Sequence, residues 1–357
     1  MKILVTKFKS IGDVILLTPL LKNLKLSYPD AEIDLLVQSG TQDVLKNNPN
    51  ISKIFLTKNK NISRLRNFFY DLYLLLLIRQ RKYDLLIVTD RGERGAFLSR
   101  FSKAKRKIGR KDESSKYINS SYTDFFSYHG DRHIIELNLD PINILGRKIQ
   151  SYGLEIYPQK SDFEFVKKKM KNIKKFIHLH PSSQRKYKTL DSQLLAEIID
   201  FCEEILKVKV VLTGNGEDDQ NQIKSILSLV SSKPINLCNK LSIMQTAALN
   251  KMADILIVVD TAIMHISTAN NTPVIAFFGP TAVNNWGPWD RSLDINSYVR
   301  KGGVQMHGMH KVISGKEVCI PCSKSGCDDS GASMCLKNIQ METIKKEIKN
   351  SLGLLHL

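Results

Sequence analysis

No stretch of this 357-residue chain approaches the ~20 uninterrupted apolar residues of a membrane-spanning helix, which excludes a helical integral membrane protein. Cysteine is scarce, six residues in all. In a chain read as cytoplasmic, this argues against a disulfide framework and makes Cys202 and Cys238 ordinary buried thiols. No G-x-G-x-x-G follows the first apolar segment, so the fingerprint of a dinucleotide-dependent oxidoreductase is missing. Low-complexity tracts and short repeats are also absent. The opening MKILVTKFKSIGDVILLTPLL has the flavour of a secretory leader, but Lys7, Lys9 and Asp13 interrupt it and no small-residue cleavage site follows. It reads instead as a first strand, a turn and a helix.

What is present is an ordinary globular composition, 42% hydrophobic and 25% charged, over a length suited to two domains. The net charge of +18 is unevenly placed: residues 1–175 hold 34 Lys and Arg against 18 Asp and Glu, whereas 176–357 hold 19 against 17. A cationic first half suits an anionic partner such as a phospholipid surface, a phosphorylated substrate or nucleic acid. A solvated lysine-rich face is the alternative.

Apolar runs alternate with helical periodicity in the manner that builds parallel sheets. In the first half KILVTKF, EIDLLVQ and KYDLLIVTD read as strands, with helices over VILLTPLLKNLKLSYP and about Asn61 to Gln80. The second half restarts with KKFIHLHPSS and continues through VKVVLTG, PINLC, DILIVVD and PVIAFFGP, interleaved with helical segments. Two such series, separated by the charged stretch Lys167 to Lys175, predict two doubly wound α/β domains facing each other across a cleft, each binding ligand beyond its strand C-termini. The predicted boundaries are 1–165, 166–335 and a C-terminal helix in 336–357.

Chemistry is expected where strands end. The turn SIGDVILLTP places Gly12 and Asp13 at the carboxyl end of the first strand, where the carboxylate can serve as general base or simply cap a helix. In the second half DILIVVD ends at Asp260, and Thr261, Ala262 and Ile263 open a helix carrying His265, whose start favours a diphosphate. HLHPSSQRKYKTLD supplies Ser182, Ser183 and the cations Arg185, Lys186 and Lys188 to neutralise a departing phosphate. TGNGEDD follows its strand with Thr213, Gly214 and Glu217 or Asp218, carboxylates suited to ribose hydroxyls. Gly279, Pro280 and Thr281, followed by Trp286 and Trp289, form a further strand-end loop.

In this order, Gly12-Asp13 with Pro19, His180-Pro181 leading to Lys188, Asp260-Thr261-Ala262 with His265, and Phe278-Gly279-Pro280-Thr281 resemble the ADP-heptose:lipopolysaccharide heptosyltransferases along nearly the whole chain. TDRGERGA, WGPW and the cysteine-rich tail are most similar to the third heptosyltransferase type. The resemblance implies a GT-B-type fold and an inverting transferase without a required cofactor. Asp13 is then the base, Lys188 lies on the donor phosphates, and Thr261, Ala262 and His265 surround the diphosphate. Asp260, Ser182, Ser183, Thr213, Gly214, Glu217, Gly279, Pro280 and Thr281 complete the expected ADP-heptose site. Lys7, Gly12, Arg64, Arg91 and Arg94 are expected on the acceptor. That acceptor is a Kdo-bearing lipid A core, so peripheral contact with the cytoplasmic face of the inner membrane is implied, with no nucleic acid. Ser182 stands where the family usually has Gly, and Leu190 where a Trp often follows, which points to a slightly altered donor geometry. A convincing Asp-x-Asp metal pair is missing, so protein cations and amides are expected to hold the diphosphate.

Two features lie outside that pattern. The run LYLLLLI, flanked by Arg64, Arg66, Arg79, Arg81 and Lys82, suits either a membrane face or packing on the sheet. Cys319, Cys322, Cys327 and Cys335, with two, four and seven residues between them, supply four thiolates for a structural zinc. Rival readings are an epimerase or transferase using another nucleotide sugar, and a basic nucleic-acid-binding protein, which needs its cations on one reading element.

Overall fold

The structure, a computed structural model, describes residues 1–57, 64–127, 130–171, 173–327 and 331–354, excluding the side chains of 64–68. The chain divides into two compact units, Met1–Tyr157 and Pro158–Leu357.

In the first unit β1 (Lys2–Lys7), β2 (Glu32–Gln38), β3 (Lys53–Thr57), β4 (Leu85–Val88), β5 (Arg106–Arg110) and β6 (Asp124–Phe126) form one parallel sheet. Its order is β3-β2-β1-β4-β5-β6. The central strands are buried almost throughout, which explains their unbroken apolar runs, since a parallel strand is covered on both faces. Strand order reverses between β1 and β4, and loops at such a switch point open a crevice beyond the strand ends. The helix expected after β1 is two helices, Ile11–Ile15 and Thr18–Ser27. Pro19 has no N–H to continue the first helix but fits the first turn of the second, and Thr18 Oγ1 donates to Ile15 O (2.7 Å) at the break. Strands β3, β5 and β6 escape the periodicity reading because they are short and, in β5, three of the five residues are charged.

The second unit has β7 (Phe176–His180), β8 (Lys209–Leu212), β9 (Ile235–Asn236), β10 (Ile255–Val259), β11 (Val274–Phe277), β12 (Val304–His307) and β13 (His310–Ile313). The order is β12-β13-β11-β10-β7-β8-β9, parallel except for the β12/β13 hairpin. Here the switch point falls between β7 and β10. The charged stretch ending at Lys175 begins inside the helix Lys160–Met170, whose Val166 and Met170 pack with Phe176 and Val211 in the second unit. The helix Met341–Leu352 also returns to this unit. Its Ile344 and Ile348 join the core containing Leu195 and Ile199, and its Glu347 pairs with buried Lys311 at 2.7 Å. Each unit therefore has the doubly wound α/β fold expected of it.

Candidate active site

The two switch points are built alike. β4 and β10 lie within the heptads Asp84-LLIVT-Asp90 and Asp254-ILIVV-Asp260, and they pair with β1 and β7 in matching register. At the leading end, Asp84 accepts from the Lys2 amide at 2.9 Å and Asp254 from the Phe176 amide at 2.8 Å. At the trailing end, each strand presents an aspartate to a lysine: Asp90 to Lys7 (3.3 Å) and Asp260 to Lys188 (2.6 Å). This symmetry was hidden in the sequence by the unrelated residues between the paired segments. Two apolar strands each bracketed by aspartates were the available signal.

In the first unit, Lys7 and Asp90 are 2% and 6% exposed. Lys7, expected on the acceptor, forms a buried ion pair with Asp90. Asp90 also accepts from the Phe8 amide, which fixes the start of the loop leading to Asp13. Asp13 lies in the first turn of the Ile11–Ile15 helix, half-buried, with Oδ2 accepting from Ser10 Oγ (2.7 Å) and Oδ1 without a hydrogen-bond partner among the described residues. Gly12 is buried beside it. Arg91 pairs with Asp112 (2.8 Å), whose carboxyl is held below the usual range chiefly by that guanidinium and also by Ser114. Arg94 pairs with Asp71 (3.0 Å) and lies over the Phe8 ring, 5.1 Å from its centroid. Both arginines keep substantial exposure. Arg64 begins the helix Arg64–Arg81, but its side chain lies outside the described residues.

In the second unit the expected donor residues gather at the ends of four adjacent strands, β8, β7, β10 and β11. Lys188 closes a short 3-10 turn and Asp260 directly follows β10. Directly after Asp260, Thr261 caps the helix Ala262–Ala269 without a side-chain capping hydrogen bond, so the positive helix start is not neutralised by its own cap. His265 is buried in that helix. Ser182 is buried with Oγ unpartnered among the described residues, while Ser183 and Thr281 are half-buried and Glu217 is exposed at the start of its helix. Gly214 passes so close to Asp219 that a Cβ would stand 2.8 Å from the Asp219 Cβ, and Gly279 lies against Leu336 and the Tyr187 carbonyl.

Thr213 does something the sequence did not reveal. Its hydroxyl meets His178 Nε2 at 2.7 Å and His180 Nδ1 at 3.0 Å, and Asn250 Nδ2 lies 3.2 Å from His178 Nδ1. With that amide nitrogen donating, His178 donates from Nε2 to Thr213, Thr213 donates to His180 Nδ1, and His180 carries its proton on Nε2. Burial pushes His178 down to about 3 and lowers His180 as well, so both are neutral near pH 7. Thr213 is thereby committed to orienting the His180-Pro181 turn.

For the zinc weighed at the tail cysteines, no three His, Cys, Asp or Glu side chains among the described residues come together as a metal ligand set. The tail braces the site by hydrogen bonds instead, from the Ser323 amide to Pro280 O (2.9 Å) and from Ser333 Oγ to Tyr187 O (2.7 Å). Trp289 is fully buried edge-on to His307 with centroids 4.6 Å apart, a packing role. Among the described residues no helix is long and apolar enough to cross a membrane.

Residues 74–310 match the family described as glycosyltransferase family 9 (heptosyltransferase). Lipopolysaccharide heptosyltransferase 3 of Escherichia coli is 28% identical over 292 residues, covering 79% of this chain and 84% of that protein. Among solved structures, a family 9 glycosyl transferase from Veillonella parvula superposes with a TM-score of 0.80 at 20% identity, covering 99% and 97% of the two chains. The E. coli ADP-heptose lps heptosyltransferase II gives 0.75 at 16% identity, covering both chains completely.

Proposed function

This chain belongs to glycosyltransferase family 9, and from that premise we propose that it is an inverting, metal-independent enzyme transferring heptose from ADP-heptose to the lipid-borne inner core of lipopolysaccharide. The relatives' names support this choice of donor and acceptor. The observation that carries it is the second switch point, where Lys188, Asp260 and an uncapped helix start meet at the strand ends. Such a place suits a diphosphate.

Asp13 accepts the proton of an acceptor hydroxyl as that oxygen attacks the anomeric carbon. The bond from that carbon to the diphosphate oxygen breaks, its electron pair leaves with ADP, and the configuration inverts. Lys188 and the amides at Thr261 and Ala262 take up the charge developing on the leaving diphosphate, so the reading needs no metal. Ser182, with its buried unpartnered hydroxyl, is assigned to the same phosphates, and Glu217 to the ribose. Gly12, Arg91 and Arg94 border the acceptor, where exposed guanidiniums suit Kdo carboxylates and phosphates.

Thermal stabilisation of the purified chain by ADP-, UDP- and GDP-sugars, followed by transfer to defined core acceptors, tests this reading. Stabilisation by ADP-heptose and a product one heptose heavier are expected. Selective stabilisation by a UDP-sugar, with no transfer from ADP-heptose, would overturn it.

A further inference from the structure

The hydrogen-bond chain at the end of β7 has a direction. Buried Asn250 anchors it, His178 and Thr213 carry it, and it stops at His180, whose proton it places on Nε2. That nitrogen makes no hydrogen bond among the described residues and is not closed off from solvent, although His180 as a whole is only 8% exposed. A neutral imidazole locked with its single proton at a strand end is a donor that lacks an acceptor. Gln222 Nε2 lies 3.4 Å from Pro181 O, so the helix Glu217–Leu227 touches the turn that follows His180. Asp219, in the first turn of that helix, accepts from the Asn215 amide at 2.8 Å, and Asn239 Oδ1 accepts from the Gly216 amide at 2.7 Å, which fixes the loop between β8 and the helix. Burial lowers the pKa of His180, and the Asp219 carboxylate nearby offsets part of that effect.

We infer that His180 Nε2 donates to a hydroxyl oxygen of the nucleotide ribose, and that Thr213 and His178 are positioning residues that keep the proton on that nitrogen. A ribose diol both gives and takes hydrogen bonds. Glu217, assigned to the ribose above, is a carboxylate and can only accept, so full recognition of the diol needs a donor from a neighbouring element. His180 sits beside the start of the Glu217–Leu227 helix and supplies one. Breaking a link of the chain lets the ring carry its proton on Nδ1, which leaves Nε2 an acceptor and removes the match to the sugar. A nucleotide without the hydroxyl leaves the donor unpaired, and the site thereby selects ribonucleotides over their deoxy forms. The inference rests on the nucleotide site proposed above but not on the identity of its base, since ribose is common to ADP, UDP and GDP.

The test is calorimetric binding of ADP, 2′-deoxy-ADP and 3′-deoxy-ADP to the full chain and to its Thr213→Val, Thr213→Ser, His180→Leu and His180→Gln variants. The parent is expected to bind ADP about tenfold more tightly than at least one of the deoxynucleotides, as the loss of one hydrogen bond implies. Thr213→Val and His180→Leu should shrink that ratio at least about threefold by weakening ADP. Thr213→Ser keeps the hydroxyl and His180→Gln keeps an N–H near the Nε2 position, so both should retain the ratio. A general loosening of the fold weakens all three nucleotides together and does not imitate this result. The contrast between valine and serine at Thr213 stands even where the leucine variant fails to fold. Equal weakening of ADP and both deoxynucleotides in Thr213→Val and His180→Leu, or a ratio that neither variant alters, would overturn the inference, as would a parent that binds all three alike. If UDP or GDP binds in place of ADP, the donor proposed above is wrong, and the same comparison with that nucleotide and its deoxy forms still decides the role of His180.

Discussion

Lys188 Nζ lies 2.6 Å from Asp260 Oδ2, joining the turn after β7 to the end of β10 from positions 72 residues apart. The aspartate holds an otherwise flexible cation at the mouth of the second switch point, next to the start of the Ala262–Ala269 helix. Preorganisation of that kind removes an ordering cost when charge develops on a bound diphosphate. Lys188→Ala should lower kcat/KM by roughly 10²–10³-fold, the usual loss when one such donor is removed. Steady-state kinetics with ADP-heptose measures it, and an unchanged kcat/KM would remove Lys188 from the phosphate site.

Asp13→Asn keeps the shape of the loop and the contact with Ser10 but removes the proton acceptor. Turnover should fall by roughly 10²–10⁴-fold while the affinity for ADP-heptose, read by calorimetry, stays near that of the parent. Retained turnover would rule out this carboxylate as the base.

Lys7 and Asp90 make a buried pair whose separation costs more than its formation gains. Asp90→Ala leaves a lysine charge without its counter-ion, and a loss of about 3–5 kcal/mol is expected in chemical denaturation of the first unit. Lys7→Met/Asp90→Asn should recover most of that loss. If both variants are equally unstable, the buried charge is not the cause.

The buried His178 and His180 predict how stability responds to acid. Both stay neutral in the folded state, with His178 lowered to about 3 by burial, whereas an unfolded histidine takes up its proton near pH 6.5. Below that pH the unfolded chain binds more protons, so stability is fully present above about pH 6.5 and declines as the pH falls toward about 3. Denaturation midpoints measured from pH 7.5 to 4.5 should show this slope, and His178→Asn should flatten it by up to about one proton. An unaltered slope would place the acid sensitivity elsewhere, for example at buried His310, lowered to about 4.

The periodicity of apolar runs determined, from the sequence alone, that two mainly parallel sheets would form and that the candidate site residues would lie at their strand ends. Gly12-Asp13, His180-Pro181, Asp260-Thr261 and Gly279-Pro280 all occupy such ends. Local patterns are legible because burial on both faces of a parallel strand demands an unbroken apolar run, and a following helix start demands a turn. Only the tertiary structure decided which residues meet. Lys7 finds Asp90 because β4 happens to be the neighbour of β1, and Thr213 finds both histidines because β8 flanks β7. The four tail cysteines had a plausible spacing, yet whether thiolates converge depends on the path of the chain between them. In LYLLLLI every residue but the tyrosine looks equally suited to a core. The direction in which the helix meets its sheet separates the buried Leu74, Leu75 and Ile78 from the exposed Leu72 and Leu76. Strand order and helix rotation are set by the packing of the whole unit, and no local run of residues encodes them.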